Sequence, residues 1–384
     1  MGHEWCRSGA MSYPRIHCAC AGLARRRVVA IGGLACSHAG GSPSASVEVL
    51  DPTTMIWSGL PPLLKPTVSC ASCVLRDDDD PAVTAQLRRT DAGDGGPMPM
   101  QRRSERVVVT GGSGHLPHDA GGMTDVWVLD MATQEWTEFT HMSEPRHSHS
   151  CSALPGGRVL VAGGKRGTAI LSTVEVFCPR LSCWCRMPPM PVAVASHAAL
   201  VMSKGRCAIF GGWDGKQSLS SVHMIINADR AQHAGLGPPV AGQPSMHPAP
   251  VECKRSPPEM PAGSQEPTWQ TLSPMPFCGA CLELVPHPYS GQLLAVVPDE
   301  ASQTLAIQPL QLSGLSSDDW GRGARGPAWS AAAEGAGRDD TPVDDLQGGW
   351  CDSGGTPADT IFGVTSKIVA PLSVRHCTIV LGVY

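Results

Sequence analysis

Few patterns in this chain could do chemistry, and each demands a particular placement. Cys70-x-x-Cys73 and Cys278-x-x-Cys281 have the spacing of zinc half-sites. Cys18 and Cys20, Cys183 and Cys185, and His147 and His149 each stand two residues apart, with His17 and His197 as further imidazoles. The four aspartates at 77–80 offer carboxylates but lack the spaced ligands and glycine of a calcium loop. No G-x-S-x-G, Walker-type loop or H-E-x-x-H occurs, which removes the readily legible hydrolases and nucleotidases.

Whether those residues can meet depends on the elements that carry them, and these repeat. Met11, Met142, Met190 and Met275 lie six residues after Trp5, Trp136, Trp184 and Trp269, and Leu63 lies six after Trp57. Pro14 and Arg15 follow Trp5 at the same offsets as Pro145 and Arg146 follow Trp136. A Gly pair begins 27 residues after Trp5, Trp136 and Trp184. The pair at Gly111 comes later by one insertion, and the matching position after Trp269 is Val296, in an apolar run without glycines. Units of about fifty residues therefore run through the chain.

Each unit reads as four strands. VVAIGG, VVVTGG, VLVAGG and CAIFGG are buried strands ending in turns that need unusual backbone angles. SVEVLD, DVWVLD, TVEVFC and SVHMII supply a further strand, and the Trp segments another. RIHCACAG, HSHSCSAL and ASHAALVM form the last type, and their small residues suit an innermost strand near a narrow axis. Four strands at this period describe a propeller blade. The chemistry candidates fall mostly on innermost strands. Residues three apart on a strand face opposite ways, so neither C-x-x-C pair can hold one metal between its own sulfurs. The cysteines are expected as packed small thiols and the histidines as hydrogen-bonded packing groups, with no metal and no cofactor.

With its Gly pairs, spaced Trp residues and intervening hydrophobic strands, the sequence resembles the kelch-repeat family over residues 3–297. The resemblance implies an all-β, kelch-type β-propeller. The family's Tyr between Gly pair and Trp is missing, and Val47, Val126, Val174 and Val222 stand in that apolar role. Blades starting at Pro14, Pro66, Pro145, Ala193, Phe277 and about Thr360 number six; the last two are degenerate, which leaves five or seven open. HEWCRS at the N-terminus is expected to be the outer strand of the final blade. Its other strands would come from TIFGVTS, KIVAPLS and HCTIVLGVY near the C-terminus, since an unclosed ring leaves a bare strand edge.

One propeller is thus expected over residues 1–384, with insertions at 77–104 (low complexity), 228–266 (Pro/Gly-rich) and 313–349 (Gly/Ala/Asp-rich). Their low content of aromatic and β-branched residues cannot offset the entropy of ordering them. All three emerge on one face of the ring. The net charge of −5 argues against a nucleic-acid surface, and no apolar run is long enough to span a membrane. Without a signal-peptide pattern the sixteen cysteines are expected reduced and the protein cytoplasmic.

The resemblance implies a protein-interaction scaffold or adaptor, such as the substrate-recognising part of a ubiquitin ligase. With the propeller expected to use both ends of the chain, the ligase-binding module would come from a partner. The alternative is an enzyme on a kelch propeller. A galactose-oxidase-like site needs two tyrosines, and only Tyr13, Tyr289 and Tyr384 exist; a mutarotase-like site needs charged groups on the inner strands, which carry mostly Cys, Ser, His and Ala. The partner-binding face is expected where the loops after the Gly pairs meet the starts of the innermost strands. Arg15, His17, Arg146, His147, Lys165, Arg166 and Trp213 lie there, suited to an acidic peptide segment on a monomeric propeller. Arg15 and Arg146 have a second reading, in which they brace neighbouring blades through backbone carbonyls.

Overall fold

The structure is a computed structural model that describes residues 6–7, 11–12, 15–35, 42–76, 105–114, 121–179, 182–203, 205–228, 266–280, 283–286, 293–299, 304–310, 361–362 and 370–371. Among them, five four-stranded antiparallel sheets follow one another along the chain. The first blade runs outward from Ala19–Gly22 through Val28–Ile31 and Val47–Asp51 to Ile56–Leu60, and the second from Ala71–Arg76 through Glu105–Thr110 and Met123–Asp130 to Glu135–Arg146. The third comprises Ser150–Leu154, Arg158–Ala162, Val174–Cys178 and Cys183–Met187, and the fourth Ala198–Met202, Arg206–Phe210, Val222–Ile226 and Thr268–Leu272. The fifth holds Glu283–Pro286, Leu293–Asp299, Thr304–Leu310 and Ala370–Pro371.

The first strands of successive blades touch one another, which places them innermost around a common axis. Burial explains why the second strands read as unbroken apolar runs. Val107 and Val109 pack toward the first blade, while Val108 packs toward the third. A strand covered on both faces has no polar side to show. The chain is therefore a β-propeller, its second, third and fourth blades each sandwiched between neighbours.

The Gly pairs stitch blade to blade. Gly32, Gly111, Gly163 and Gly211 have φ between 55° and 61°, and their partners Gly33, Gly112, Gly164 and Gly212 between 92° and 101°. The N–H of each second glycine donates to a carbonyl at the start of the next blade, on Thr67, Arg146, Val194 and Gly279. A Cβ on the first glycine would sit 2.4–2.6 Å from that same oxygen. The methionines six after each Trp explain themselves here too. Met142, Met190 and Met275 are buried, their Cε atoms against the space a Gly side chain would have taken. Outer strands are tied in by Trp: Trp136 Nε1 donates to Pro61 O, and Trp269 Nε1 to Pro188 O, each at 2.8 Å.

One sequence-derived assignment changes. Ala370–Pro371, in the segment expected to build the last blade, instead pairs with Thr304 and Leu305 as the outer strand of the fifth. The repeat spacing has faded by that point, so the open edge of the third strand, not the period, decides the pairing. Cys6–Arg7 pairs antiparallel with Ile361–Phe362, joining the two ends of the chain in a separate two-stranded sheet. Trp5 and the insertions at 77–104 and 313–349 lie outside the described residues, as does 228–266 except for Ala228 and Glu266.

Candidate functional site at the axial mouth

Four equivalent residues, each twelve after a repeat Trp, circle the axis at the start of the innermost strands: His17, Ser69, Ser148 and Ser196. All adopt a left-handed conformation, with φ of 52–55°. The N–H of each serine donates to the carbonyl of the preceding member, Ser69 to His17, Ser148 to Ser69 and Ser196 to Ser148, every bond 2.8 Å long. A left-handed non-Gly residue costs about 1–2 kcal/mol, so a fourfold repeat of it is held in place by this blade-to-blade ladder. His17 is exposed and the three serines are half-buried. Sequence reading missed the serines as a group, although their constant offset from Trp was there to be found.

Outside this ring stand the residues just after each Gly pair. Val68 pairs with Ser113, His147 with Lys165 and Ala195 with Trp213 through antiparallel bridges, and Ile16 with Leu34 in a short strand pair. Lys165–Arg166 folds back on Ala169–Ile170 as a small tongue. A Cβ on Gly215, two residues past Trp213, would meet Ile170 at 3.3 Å, so the tongue lies against the Trp213 loop. Lys165 and Trp213 are half-buried, Arg166 is exposed and pairs with Glu144 at 3.1 Å, and His147 is buried, its Nδ1 3.1 Å from Ser148 Oγ.

Arg15 and Arg146 do not belong to that surface. Both guanidinium groups are inaccessible to solvent. Arg146 donates to the carbonyls of Gly163 and Thr173 and to Glu175 Oε1 at 2.7 Å. Arg15 donates likewise to the carbonyls of Gly32 and Ser46 and pairs with Glu48. The second oxygen of each glutamate accepts from a backbone N–H, of Ser12 at Glu48 and of Ser143 at Glu175. The expectation that these arginines meet a partner is corrected: an unpaired guanidinium could not be buried so completely, and each is matched by its own carboxylate. The signal was in the repeats. Blades with Arg at this position carry Glu on the third strand; the second carries Thr67 with Trp127 and the fourth Val194 with His223.

A family model described as the Kelch motif matches residues 146–191. Mouse Kelch-like protein 35 is 26% identical over 259 residues, 67% of this chain and 32% of its own length. Human Kelch-like protein 6 is 34% identical over 92 residues, 24% of this chain and 15% of its length. The chain thus carries a Kelch motif across its third blade and is similar to Kelch-like proteins. The chain spans a third or less of these curated relatives. Among other similar proteins, yeast tRNA wybutosine-synthesizing protein 4 is 38% identical over 79 residues, 20% of this chain and 11% of its length. The solved structure of YjhT gives a TM-score of 0.49 at 12% identity, over 75% of this chain and 73% of that one.

The remaining chemical candidates are spread through the propeller. Cys70 packs in the cluster between the first and second blades and Cys73 in that between the second and third, on opposite faces of their strand. Burial pushes the Cys70 thiol up to about 12, and Cys207 likewise. Cys278 is exposed, and Cys281 lies outside the described residues. Cys18 and Cys20 share a face, their sulfurs 3.9 Å apart. His149 Nε2 meets Thr110 Oγ1 at 2.8 Å, and His197 Nε2 meets Ser150 Oγ at 2.9 Å. Burial holds His149 well below the usual imidazole range and His197 down to about 4. Among the described residues one group of three metal-capable side chains comes together, Asp125, Glu138 and His141, on the outer strands of the second blade. Lys65 Nζ already lies 2.6 Å from Asp125 there. No described helix is long and apolar enough to cross a membrane.

Proposed function

We propose that this chain is a protein-interaction scaffold, a monomeric propeller that takes an acidic peptide segment at the axial mouth. The observation that carries the reading is a division of labour among its cations. Arg15 and Arg146 are consumed by the internal carboxylates Glu48 and Glu175. Lys165 and Arg166 stand on a tongue that lies against the Trp213 loop, near the backbone ladder of Ser69, Ser148 and Ser196. Arg and Trp are the side chains that most often dominate interface energies, and Arg matches a carboxylate with paired donors. His17 and His147 border the same mouth. The Kelch-like relatives support a binding role over catalysis, in keeping with His149 and His197, which burial holds in the neutral form. The finer role, substrate recognition for a cytoplasmic ubiquitin ligase, rests on the family resemblance.

The test is an array of acidic peptides and their lysine-substituted counterparts, probed with the wild-type chain and with Lys165→Glu/Arg166→Glu. Retention of acidic peptides by wild type, lost in the folded variant, is expected. Equal retention by both proteins would move the binding site off this face. A wild-type preference for neutral or basic peptides would overturn the charge assignment.

A further inference from the structure

Two thiols from different blades face each other inside the propeller. Cys73 lies mid-strand on Ala71–Arg76, opposite Val108, and Cys151 lies mid-strand on Ser150–Leu154, opposite Val161. Their sulfurs are 3.4 Å apart across the cluster that joins the second and third blades. We infer that Cys73 and Cys151 form a redox-sensitive disulfide that staples these two blades together. A disulfide needs its sulfurs at about 2.05 Å, so closure has to bring together two sulfurs that already lie 3.4 Å apart on adjacent innermost strands. The product is uncharged and suits the surrounding valines, whereas a lone thiolate there would not.

The oxidant is a hydroperoxide, and the steps balance. Cys151, which keeps part of its surface accessible while Cys73 is buried, is attacked first. Its thiol is oxidised to a sulfenic acid as the O–O bond breaks, and the peroxide leaves as the alcohol, or as water from hydrogen peroxide. Cys73 then attacks the sulfenic sulfur; the S–S bond forms and the S–OH bond breaks. The hydroxyl departs as water with the Cys73 proton.

Competing pairings are less favourable. Cys18 and Cys20 are 3.9 Å apart at sulfur, farther than Cys73 and Cys151, and a bond between them would close a loop of only two residues within one blade. Cys70 keeps its proton, its thiol pushed up to about 12 by burial and by Cys18 and Cys151 nearby. Serine occupies the position of Cys151 in the second blade, as Ser72, so Cys151→Ser is expected to fold.

The folded chain is treated with hydrogen peroxide, denatured in an alkylating agent and digested without reductant. The expected product is one cross-linked peptide pair joining Cys73 to Cys151, lighter by two hydrogens and separated by reductant. Because the bond closes a loop across a sequence separation of 78 residues, the oxidised protein should melt several degrees higher than the reduced one. That rise should vanish in Cys151→Ser. Alkylation of both cysteines, joining of either to another cysteine, or a sulfinic acid on Cys151 with Cys73 alkylated would overturn the inference. So would an undiminished rise in Cys151→Ser.

Discussion

The Arg146 guanidinium donates to Glu175 Oε1 at 2.7 Å, and both side chains are almost wholly buried. Two further donations, to the carbonyls of Gly163 and Thr173, tie the first residue of the third blade's approach to two other parts of that blade. Removing one member leaves the other charged and dry. Arg146→Ala should therefore cost about 3–5 kcal/mol in urea denaturation. The pair Arg146→Val/Glu175→His, copying Val194 and His223 of the fourth blade, should recover a measurable part of that loss. A single substitution costing under about 1 kcal/mol, the scale of a surface ion pair, would end the bracing role.

Gly163 and Gly157 have similar φ, 60° and 69°, but different surroundings. A Cβ at 163 would lie 2.4 Å from Val194 O, and at 157 its nearest neighbour would be Pro179 Cγ at 3.5 Å. Gly157→Ala should cost only the left-handed strain of about 1–2 kcal/mol. Gly163→Ala should cost clearly more, because the stitch to the fourth blade must open. Thermal melts of the two variants side by side decide this, and equal losses would show that backbone strain alone selects glycine.

His197 makes stability depend on pH. Its imidazole is held at about 4 when folded, by burial, against an ordinary value of 6.5. The unfolded chain therefore binds the extra proton between those values, and stability falls as pH drops through that window. Above pH 6.5 the contribution is complete; by pH 4 about 3 kcal/mol has been lost. His149, shifted the same way, adds to the slope. His197→Cys, which places at 197 the residue found at Cys18 and Cys70, should flatten the stability profile in that window. An unchanged profile would locate the sensitivity elsewhere.

The pairing of Cys6–Arg7 with Ile361–Phe362 joins the two ends of the chain. Deleting residues 1–8 bares that edge and should lower the melting temperature by several degrees. A truncated protein that melts with the full chain would show that the pairing adds nothing to stability.

The sequence alone determined the repeat and hence the blades. The Gly pairs, the Trp positions and the doubly apolar runs all answer to short-range physics. A left-handed turn selects glycine, and burial on both faces erases alternation. Those signals act within one unit, so blades could be read from spacing down to the point where the glycines disappear. Beyond it the count of six rests on faded repeats, and five four-stranded sheets form among the described residues. What lay between units was decided only in three dimensions. Arg15 and Arg146 read equally well as surface cations or as braces, because their partners Glu48 and Glu175 stand 33 and 29 residues away and only folding brings them together. Ala370–Pro371 could be placed in the fifth blade only once an open strand edge was there to receive it. The thiols of Cys73 and Cys151, 78 residues apart, face each other because adjacent blades press opposite faces of their inner strands together, a relation no local pattern encodes.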